Sequence, residues 1–513
     1  MTDKVVVNAE QMRHIEEQIF NAGMPVAALM EKVAGLIATR VMELYPLSDI
    51  SRVGVLVGPG HNGGDALAVA RELHLRGYQV FLYRPLSRLK ELTTSHANYA
   101  ASLGIPSSEQ IQALYTCNLI IDGLFGFGLT RPISGKLAED INQLNFWNRL
   151  VVSIDLPSGM DTDTGKILGA AVRATHTLCL GLWKRAFYQD QALDYIGQAE
   201  LISFGIPKKN VWSVLGKPPQ IQLAVANNMA KYLPLPRPQI THKYKQGHLL
   251  LICGSHRYSG GAILTALGSR ASGVGMLSIA VPESLKPLLV SHVPEALVIG
   301  CPETESGAIA SLPSEIADLS QFNLIACGPG LTKDATSVVQ KVLKAKIPLV
   351  LDADALNIVA ELGTLDVLKS RKYPTILTPH LGEFKRLFPN LANPNQDRIR
   401  AVEEAAKRSS TVILLKGAKT AIANDEGKIW LIPESTPALA RGGSGDVLTG
   451  LLGGLLAQKT NYDDSLEATV ATAAWWHAQA GIIAVQERSE LGVDAHTLCQ
   501  YLWKVPKKMT NYL

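Results

Sequence analysis

Short apolar runs of β-forming residues, each closed by a glycine-rich or acidic loop and followed by helical spacing, recur along the whole chain. They are Val53–Val57, Val80–Tyr83, Leu119–Ile121, Val151–Ile154 and Thr177–Leu180, then Leu249–Cys253, Leu277–Val281, Leu324–Cys327, Leu349–Leu351, Thr375–Leu377 and Val412–Leu415. Strands this uniformly apolar are buried on both faces, and helical stretches such as Ala66–Arg76 are the crossovers that parallel pairing demands. The pattern predicts α/β architecture with doubly wound parallel sheets. Ahead of the first run, Asn8 is suited to cap one helix and Pro25 to open a second. Val26, Leu29, Met30, Val33, Ile37 and Val41 recur there at helical spacing.

At 513 residues the chain exceeds the roughly 100–200 residues of one ordinary domain. The proline-rich, aperiodic stretches Gly216–Pro219 and Leu233–Pro238 mark a connector, so a Rossmann-like domain over residues 1–220 and a larger α/β domain over 221–513 are expected. Hydrophobic residues at 47% and charged residues at 18% exclude a disordered chain. The net charge is only +4, with basic runs confined to His242–Lys245 and Lys504–Lys508, so no nucleic-acid partner is expected. The apolar stretches fall short of the roughly 18 residues needed to span a bilayer, and Met1–Glu17 lacks the apolar core of a secretory signal. Six scattered cysteines with no CxxC point to a reducing cytoplasm and no structural zinc.

Gly58-Pro59-Gly60-His61-Asn62-Gly63-Gly64-Asp65 follows a strand and precedes a helix, where glycines let backbone approach a phosphate and free N–H groups meet it. A dehydrogenase reading lacks the acidic residue about 20 positions on that holds a ribose hydroxyl, and Arg84 is a weak stand-in for a 2′-phosphate contact. Two further polar clusters close later strands: Asp122-Gly123-Leu124-Phe125-Gly126-Phe127-Gly128, and Asp155-Leu156-Pro157-Ser158-Gly159 with Asp161 and Asp163. In a doubly wound sheet these ends converge on one crevice, giving carboxylates and a hydroxyl beside a phosphate cradle, a set suited to proton transfer. Alone, Asp122 also reads as a cap or turn residue.

The loops GPGHNGGD, DGLFGFGLTRP and SIDLPSGMDTDTG, in this order, resemble the signature loops of NAD(P)H-hydrate epimerases. The resemblance covers roughly residues 8–205. It implies that His61, Asn62, Gly63, Gly64 and Asp65, with Gly126, Phe127, Gly128, Leu129, Thr130, Arg131 and Pro132, embrace the substrate's phosphates. It also implies that Asn62, Asp122 and Ser158 ligate K+ and that Asp155 is the catalytic acid/base. His61 stands where the family usually has Asn, and Ala66 where Gly is common.

In the second half, Arg441-Gly442-Gly443-Ser444-Gly445-Asp446 feeds the helix-like run Val447–Gln458. Such a loop forms an anion hole, and an aspartate there can take a hydroxyl proton as phosphate charge develops. No GxxxxGK[ST] P-loop occurs in the chain. Singly, His380 reads as a loop histidine, Asp352 and Asp354 as a turn pair and Lys416 as a solvated cation.

The glycine loop resembles the anion hole of ribokinase-like kinases, and more closely that of ADP-dependent NAD(P)H-hydrate dehydratases. Gly254-Ser255, Gly260-Gly261-Ala262, Gly328-Pro329-Gly330, Asp352–Asn357, Thr378–Phe384 and Lys416–Thr420 extend the resemblance over about residues 235–500. It implies that Lys416, Gly417, Ala418, Lys419, Thr420 and Gly445 contact the adenine nucleotide, that Ala262, Gly330, His380 and Asp446 contact the hydrate, and that Asp446 is the catalytic base. Thr332 departs from the GPGLG form.

Together the two resemblances imply an enzyme with two activities on NADHX and NADPHX, the hydrates of NADH and NADPH; a cytoplasmic homo-oligomer is expected. One epimerises the R and S forms; the other dehydrates the S form with ADP, with Mg2+ at the phosphates. Rival readings are an ATP-dependent small-molecule kinase for a vitamin precursor or sugar, with a scaffold N-terminal domain, and an NADP-dependent dehydrogenase.

Overall fold

The computed structural model describes residues 4–459 and 465–509. The chain forms two compact units, Met1–Gln220 with Asn395–Asp397, and Ile221–Pro394 with Arg398–Leu513.

The first unit holds a parallel seven-stranded sheet in the order Ser107–Ser108, Gln79–Tyr83, Arg52–Val57, Leu119–Gly123, Leu150–Ile154, His176–Leu180, Gln198–Ile202. From Arg52–Val57 the chain winds one way, then restarts at Leu119–Gly123 and winds the other, so the order reverses between these two neighbours. Val53, Val55 and Val57 pack into one apolar cluster while Leu56 packs into the cluster on the other face. That two-sided burial is why the run carries no polar alternation. Both opening helices form. Ala9–Asn21 is closed by a capping box, in which Asn8 Oδ1 accepts from Gln11 N and Gln11 Oε1 accepts from Asn8 N. Val26–Leu44 buries Met30, Val33, Ile37 and Val41 on one face.

The helix expected from Ala66 begins at His61. Its glycines belong to the first turn because space is lacking: a Cβ on Gly63 would lie 1.9 Å from the Gly58 carbonyl oxygen. The edge strand Gln198–Ile202, only partly buried, escaped the apolar-run criterion.

The second unit holds ten strands in the order Ile221–Leu223, Ile429–Leu431, Ala421–Ala423, Val412–Leu415, Thr375–Leu377, Leu349–Leu351, Leu324–Cys327, His248–Ile252, Met276–Pro282, Leu297–Cys301. All pairs are parallel except those of Ala421–Ala423 with its two neighbours. The order reverses between His248–Ile252 and Leu324–Cys327. Leu233–Pro238 follows the first of these strands and lies inside this unit. The helix Ser444–Ala457 lies against Ser259–Ala271 closely enough that a Cβ on Gly450 would stand 1.9 Å from the Thr265 carbonyl oxygen. Among the described residues no helix is long and apolar enough to cross a membrane, and all six cysteines are free.

Candidate functional site

Each sheet reversal lies beside a cavity. In the first unit the loops leaving Arg52–Val57, Leu119–Gly123 and Leu150–Ile154 surround about 500 Å3. His61, Asn62 and Asp65 line it from the helix start, Gly126 through Arg131 from the second loop and Asp155 from the third. Gly63 and Gly64 are buried rather than lining, and Pro132 lies outside the lining. Arg84 also lies outside it. Asp161 and Asp163 serve the chain itself: Asp161 Oδ1 accepts from Thr164 N at 2.7 Å, and Asp163 Oδ1 from Ala9 N at 2.7 Å.

Asp155 adopts φ 70°, a left-handed conformation a non-glycine residue holds only when its surroundings fix it. Those surroundings are the Phe127 N–H at 3.0 Å on Oδ2, the Leu180 N–H at 3.2 Å on Oδ1, and the ammonium of Lys184, also on Oδ1. Lys184 is fully buried, donates a second bond of 2.6 Å to the Leu180 carbonyl and reaches the cavity. Burial pushes its ammonium toward neutrality, but the Asp155 carboxylate outweighs this and raises its proton affinity above the usual lysine value. Burial also drives Asp65 well above the carboxylate range, reinforced by the charges of Asp155 and Glu16. His61 is shifted the other way, by burial and then Lys90, so its ring is neutral at pH 7.

Asp122 lies beneath the cavity with no exposure. Its Oδ1 accepts from Ser158 Oγ at 2.6 Å and Leu124 N at 3.3 Å, its Oδ2 from Ser153 Oγ and Ser158 N at 2.8 Å each. The bond to Leu124 N makes it a turn residue, yet the bonds to Ser153 and Ser158 tie it to the third loop. Burial raises its proton affinity and the Ser158 bonds lower it. Among the described residues no cationic side chain pairs with it, and the buried Asn62 Nδ2 has no hydrogen-bond partner. A buried carboxylate without a counter-ion, among neutral oxygens, is chemistry a weakly hydrated monovalent cation fits.

In the second unit a cavity of about 470 Å3 is lined by Gly261, Gly330, Asp354, Gly442, Gly443 and Asp446, among others. Gly443, at φ 89°, opens the helix Ser444–Ala457, which places Asp446 in its first turn among free N–H groups. The Asp446 carboxyl is raised to about 7, chiefly by burial and also by the charge of Asp352, with Lys416 pulling the other way. Asp446 Oδ2 is so close to the neighbouring helix that a Cβ on Gly261 would stand 3.2 Å from it.

Lys416 closes the strand Val412–Leu415 and is no solvated cation: its Nζ lies 2.7 Å from Asp352 Oδ1 and 3.4 Å from where a Cβ on Gly445 would be. Beyond it the turn is open at Gly417 and Ala418, Lys419 Nζ donates to the Pro433 carbonyl at 2.6 Å, and Thr420 Oγ1 to Gly417 at 3.2 Å. The expected turn pair separates into a buried ion-paired Asp352 and an Asp354 that faces the cavity and accepts from Thr332 N at 2.9 Å. Ala262 has no exposure and is absent from the cavity lining, where Gly260 and Gly261 stand instead. His380 also lies outside the lining. It caps the helix Leu381–Leu387, its Nδ1 accepting from Gly382 N at 2.9 Å while Glu383 accepts from its own N–H at 2.8 Å.

Sequence reasoning passed over Lys184, Glu16 and Thr449, none of which stands in a glycine-rich loop, and read Asp352 only as half of a turn pair.

Two doubly wound units, each with a carboxyl group facing a glycine-walled cavity at the sheet reversal, define a two-domain α/β enzyme. The chain belongs to the family of bifunctional NAD(P)H-hydrate repair enzymes. It is 56% identical over 97% of its length, and 94% of the relative's, to the Bifunctional NAD(P)H-hydrate repair enzyme Nnr of Synechocystis sp.. The protein of the same name from Thermosynechococcus vestitus is 52% identical over 98% of this chain and 97% of its own. The family described as YjeF-related protein N-terminus matches residues 26–186, and that described as NAD(P)H-hydrate dehydratase matches residues 249–504. Among solved structures, the ADP/ATP-dependent NAD(P)H-hydrate dehydratase of Bacillus subtilis, co-crystallised with ATP/Mg2+, is 32% identical, covering 56% of this chain and 97% of that one at a TM-score of 0.46.

Proposed function

We propose that the chain returns hydrated NADH and NADPH to NAD(P)H in two steps. The first unit, residues 1–220, interconverts the R and S hydrates. The second, residues 221–513, dehydrates the S form with ADP, giving AMP and phosphate. The observation that carries this reading is the placement of Asp446: a half-neutral carboxyl in the first turn of a glycine-fed helix, with the Lys416 ammonium beside Gly445.

Water added to a dihydronicotinamide places a hydroxyl on the ring carbon next to nitrogen, and hydroxide is a poor leaving group. Asp446 takes that hydroxyl's proton while the β-phosphoryl group of ADP transfers to the oxygen. The N–H groups of the first helical turn and the Lys416 ammonium face the charge that develops on the phosphoryl oxygens. Phosphate then leaves with its bonding pair, and loss of a ring proton restores the double bond. Lys416, Gly417, Ala418, Lys419, Thr420 and Gly445 form the nucleotide side; Ala262, Gly330, His380 and Asp446 form the hydrate side, which requires Ala262 and His380 to act through backbone or on closure. Bound Mg2+ supplies neutralising charge at the phosphates. Asp354 is the cavity carboxylate left free to hold it, in keeping with an ion bound by one or two carboxylates and the ligand's own oxygens.

In the first unit, the amides from His61 to Asp65 and the loop Gly126–Pro132 hold the substrate's phosphates, and Asp155 is the acid/base at the epimerised carbon. K+ would sit with Asn62, Asp122 and Ser158, compensating the buried Asp122 charge. Free cysteines suit a reducing cytoplasm. A homo-oligomer is expected, to be checked by sedimentation.

The test is to mix the purified protein with both hydrate epimers and ADP and follow the return of reduced-nicotinamide absorbance. Consumption of both epimers supports the reading. No return of NADH with ADP or ATP sinks it.

A further inference from the structure

Met12, Glu16 and Phe20 follow one another at four-residue spacing on the helix Ala9–Asn21, so they share one face, and all three line the first cavity. Glu16 is the only titratable group this helix gives to the cavity. The helix Val26–Leu44 completes the wall with Val26, Leu29, Met30 and Val33, all apolar. Glu16 makes no hydrogen bond or ion pair with any described residue, so nothing in the fold requires a carboxyl there.

The charged groups that face it are Lys184 and Asp155 from the strand ends, Asp65 from the helix His61–Leu75, and Arg13 from its own helix; His61, Lys90 and Arg131 also line the cavity. The Glu16 carboxyl is raised to about 7, chiefly by burial, with Lys184 pulling it down, Asp155 pushing it up and Arg13 pulling it down. Asp155 meanwhile is held by an ammonium and two backbone N–H groups. Glu16, partly buried and without a hydrogen-bond partner among the described residues, and Asp155, held on both oxygens by donors, thus face one cavity in unlike surroundings, an arrangement that can divide acid from base between two like groups.

We infer that Glu16 is a second catalytic residue of the epimerisation site, giving its proton to the departing hydroxyl of the hydrate while Asp155 receives one at the other face of the ring. This rests on the epimerase reading above. The carbon–oxygen bond breaks with its pair going to oxygen, the Glu16 proton completes a water molecule, and the ring-nitrogen lone pair forms the C=N bond of an iminium ion. A water molecule then adds to the opposite face: its oxygen forms the new bond, the C=N pair returns to nitrogen, and its surplus proton passes to Asp155. Each turnover carries one proton from Glu16 to Asp155, returned through solvent, and the reverse reaction exchanges the two roles. The walls supply this geometry, since Glu16 enters from the helical side and Asp155 from the strand ends.

The test is Glu16→Gln in the full chain. The expected result is epimerisation lowered at least about a hundredfold, the usual scale of a lost general acid, with parental melting and parental dehydration of the S hydrate by ADP. The parent's epimerisation rate should fall as pH rises through about 7, and the residual rate of the variant should lack that limb. A Glu16 that merely balances Lys184 would change melting or KM and leave the limb in place, which overturns the inference. So does a variant that epimerises within about twofold of the parent. Should Glu16→Gln fail to fold, the parental profile decides, and a rate that does not fall above neutrality overturns the role. A parent that epimerises nothing at any pH removes the epimerase reading itself, an outcome distinct from an active, Glu16-independent enzyme.

Discussion

Lys416 Nζ lies 2.7 Å from Asp352 Oδ1, and the second oxygen of Asp352 accepts a 2.6 Å bond from Thr449 Oγ1. Asp352 is thus held on both oxygens, and the ammonium it anchors stands beside Gly445 in the first turn of the Asp446 helix.

Breaking this pair from one side strands a buried charge. Lys416→Met is expected to destabilise the second unit by about 3–5 kcal/mol, and Lys416→Met with Asp352→Asn to recover most of that loss. Dehydration stays absent in both, since neither carries the cation. Thermal unfolding of the three proteins checks the first expectation and an ADP-dependent assay the second.

Asp446 must be ionised to accept a proton, and its carboxyl titrates at about 7. The dehydration rate should therefore climb with pH through neutrality and level off above it, falling about tenfold per unit on the acid side. Asp446→Asn is expected to abolish dehydration, through kcat more than nucleotide affinity, and to leave epimerisation intact. Equal dehydration by variant and parent would remove Asp446 from the chemistry.

Asp155→Ala is expected to silence epimerisation alone, but the fold adds a complication. Lys184 would be left fully buried without its partner, so the single variant should also lose about 3–5 kcal/mol of stability. Asp155→Asn with Lys184→Met removes both charges. It should melt near the parent and, with ADP, recover NADH rapidly from the S hydrate only, then at the uncatalysed epimerisation rate. A doubly substituted protein that consumes both epimers at parental rates reopens the first site.

ADP is expected to outperform ATP in the dehydration. The turn Lys416–Thr420 is short and held by Lys419 on Pro433 and Thr420 on Gly417. On the proposed reading it holds a nucleotide whose β-phosphate is transferred. Initial rates at matched saturating concentrations decide this, and activity with ATP alone would move the second unit toward an ordinary kinase.

The strands whose residues pack on both sides of a sheet were legible, because burial on two faces leaves nothing but apolar side chains to read, as at Val53–Val57 and Leu324–Cys327. Gln198–Ile202 and the short antiparallel Ala421–Ala423 were not: one is half-exposed, the other three residues long. The glycine loops announced both cavities, yet they misplaced the start of the helix at His61, since glycine reads as a loop until its close neighbour is seen. Glu16 and Lys184 carry no local signal. Glu16 acquires its meaning from residues well over a hundred positions away, Lys184 from an Asp155 that stands 29 positions back, and both from a cavity wall that only the folded chain creates.

The first cavity has two kinds of wall, and they differ in how freely they can change. Behind one wall backbone touches backbone: a Cβ on Gly58 would stand 1.7 Å from the Leu124 carbonyl oxygen, and one on Gly159 1.9 Å from that of Ala170. Such positions admit no side chain without moving a strand end. On the other side stand Met12, Phe20, Val26, Leu29, Met30 and Val33, whose shapes can be exchanged within an apolar volume. Divergence among descendants of this chain, or deliberate redesign toward a bulkier or smaller ring, has that one pliable side to work with. The side backed by touching backbone would pass unaltered from one ring to the next.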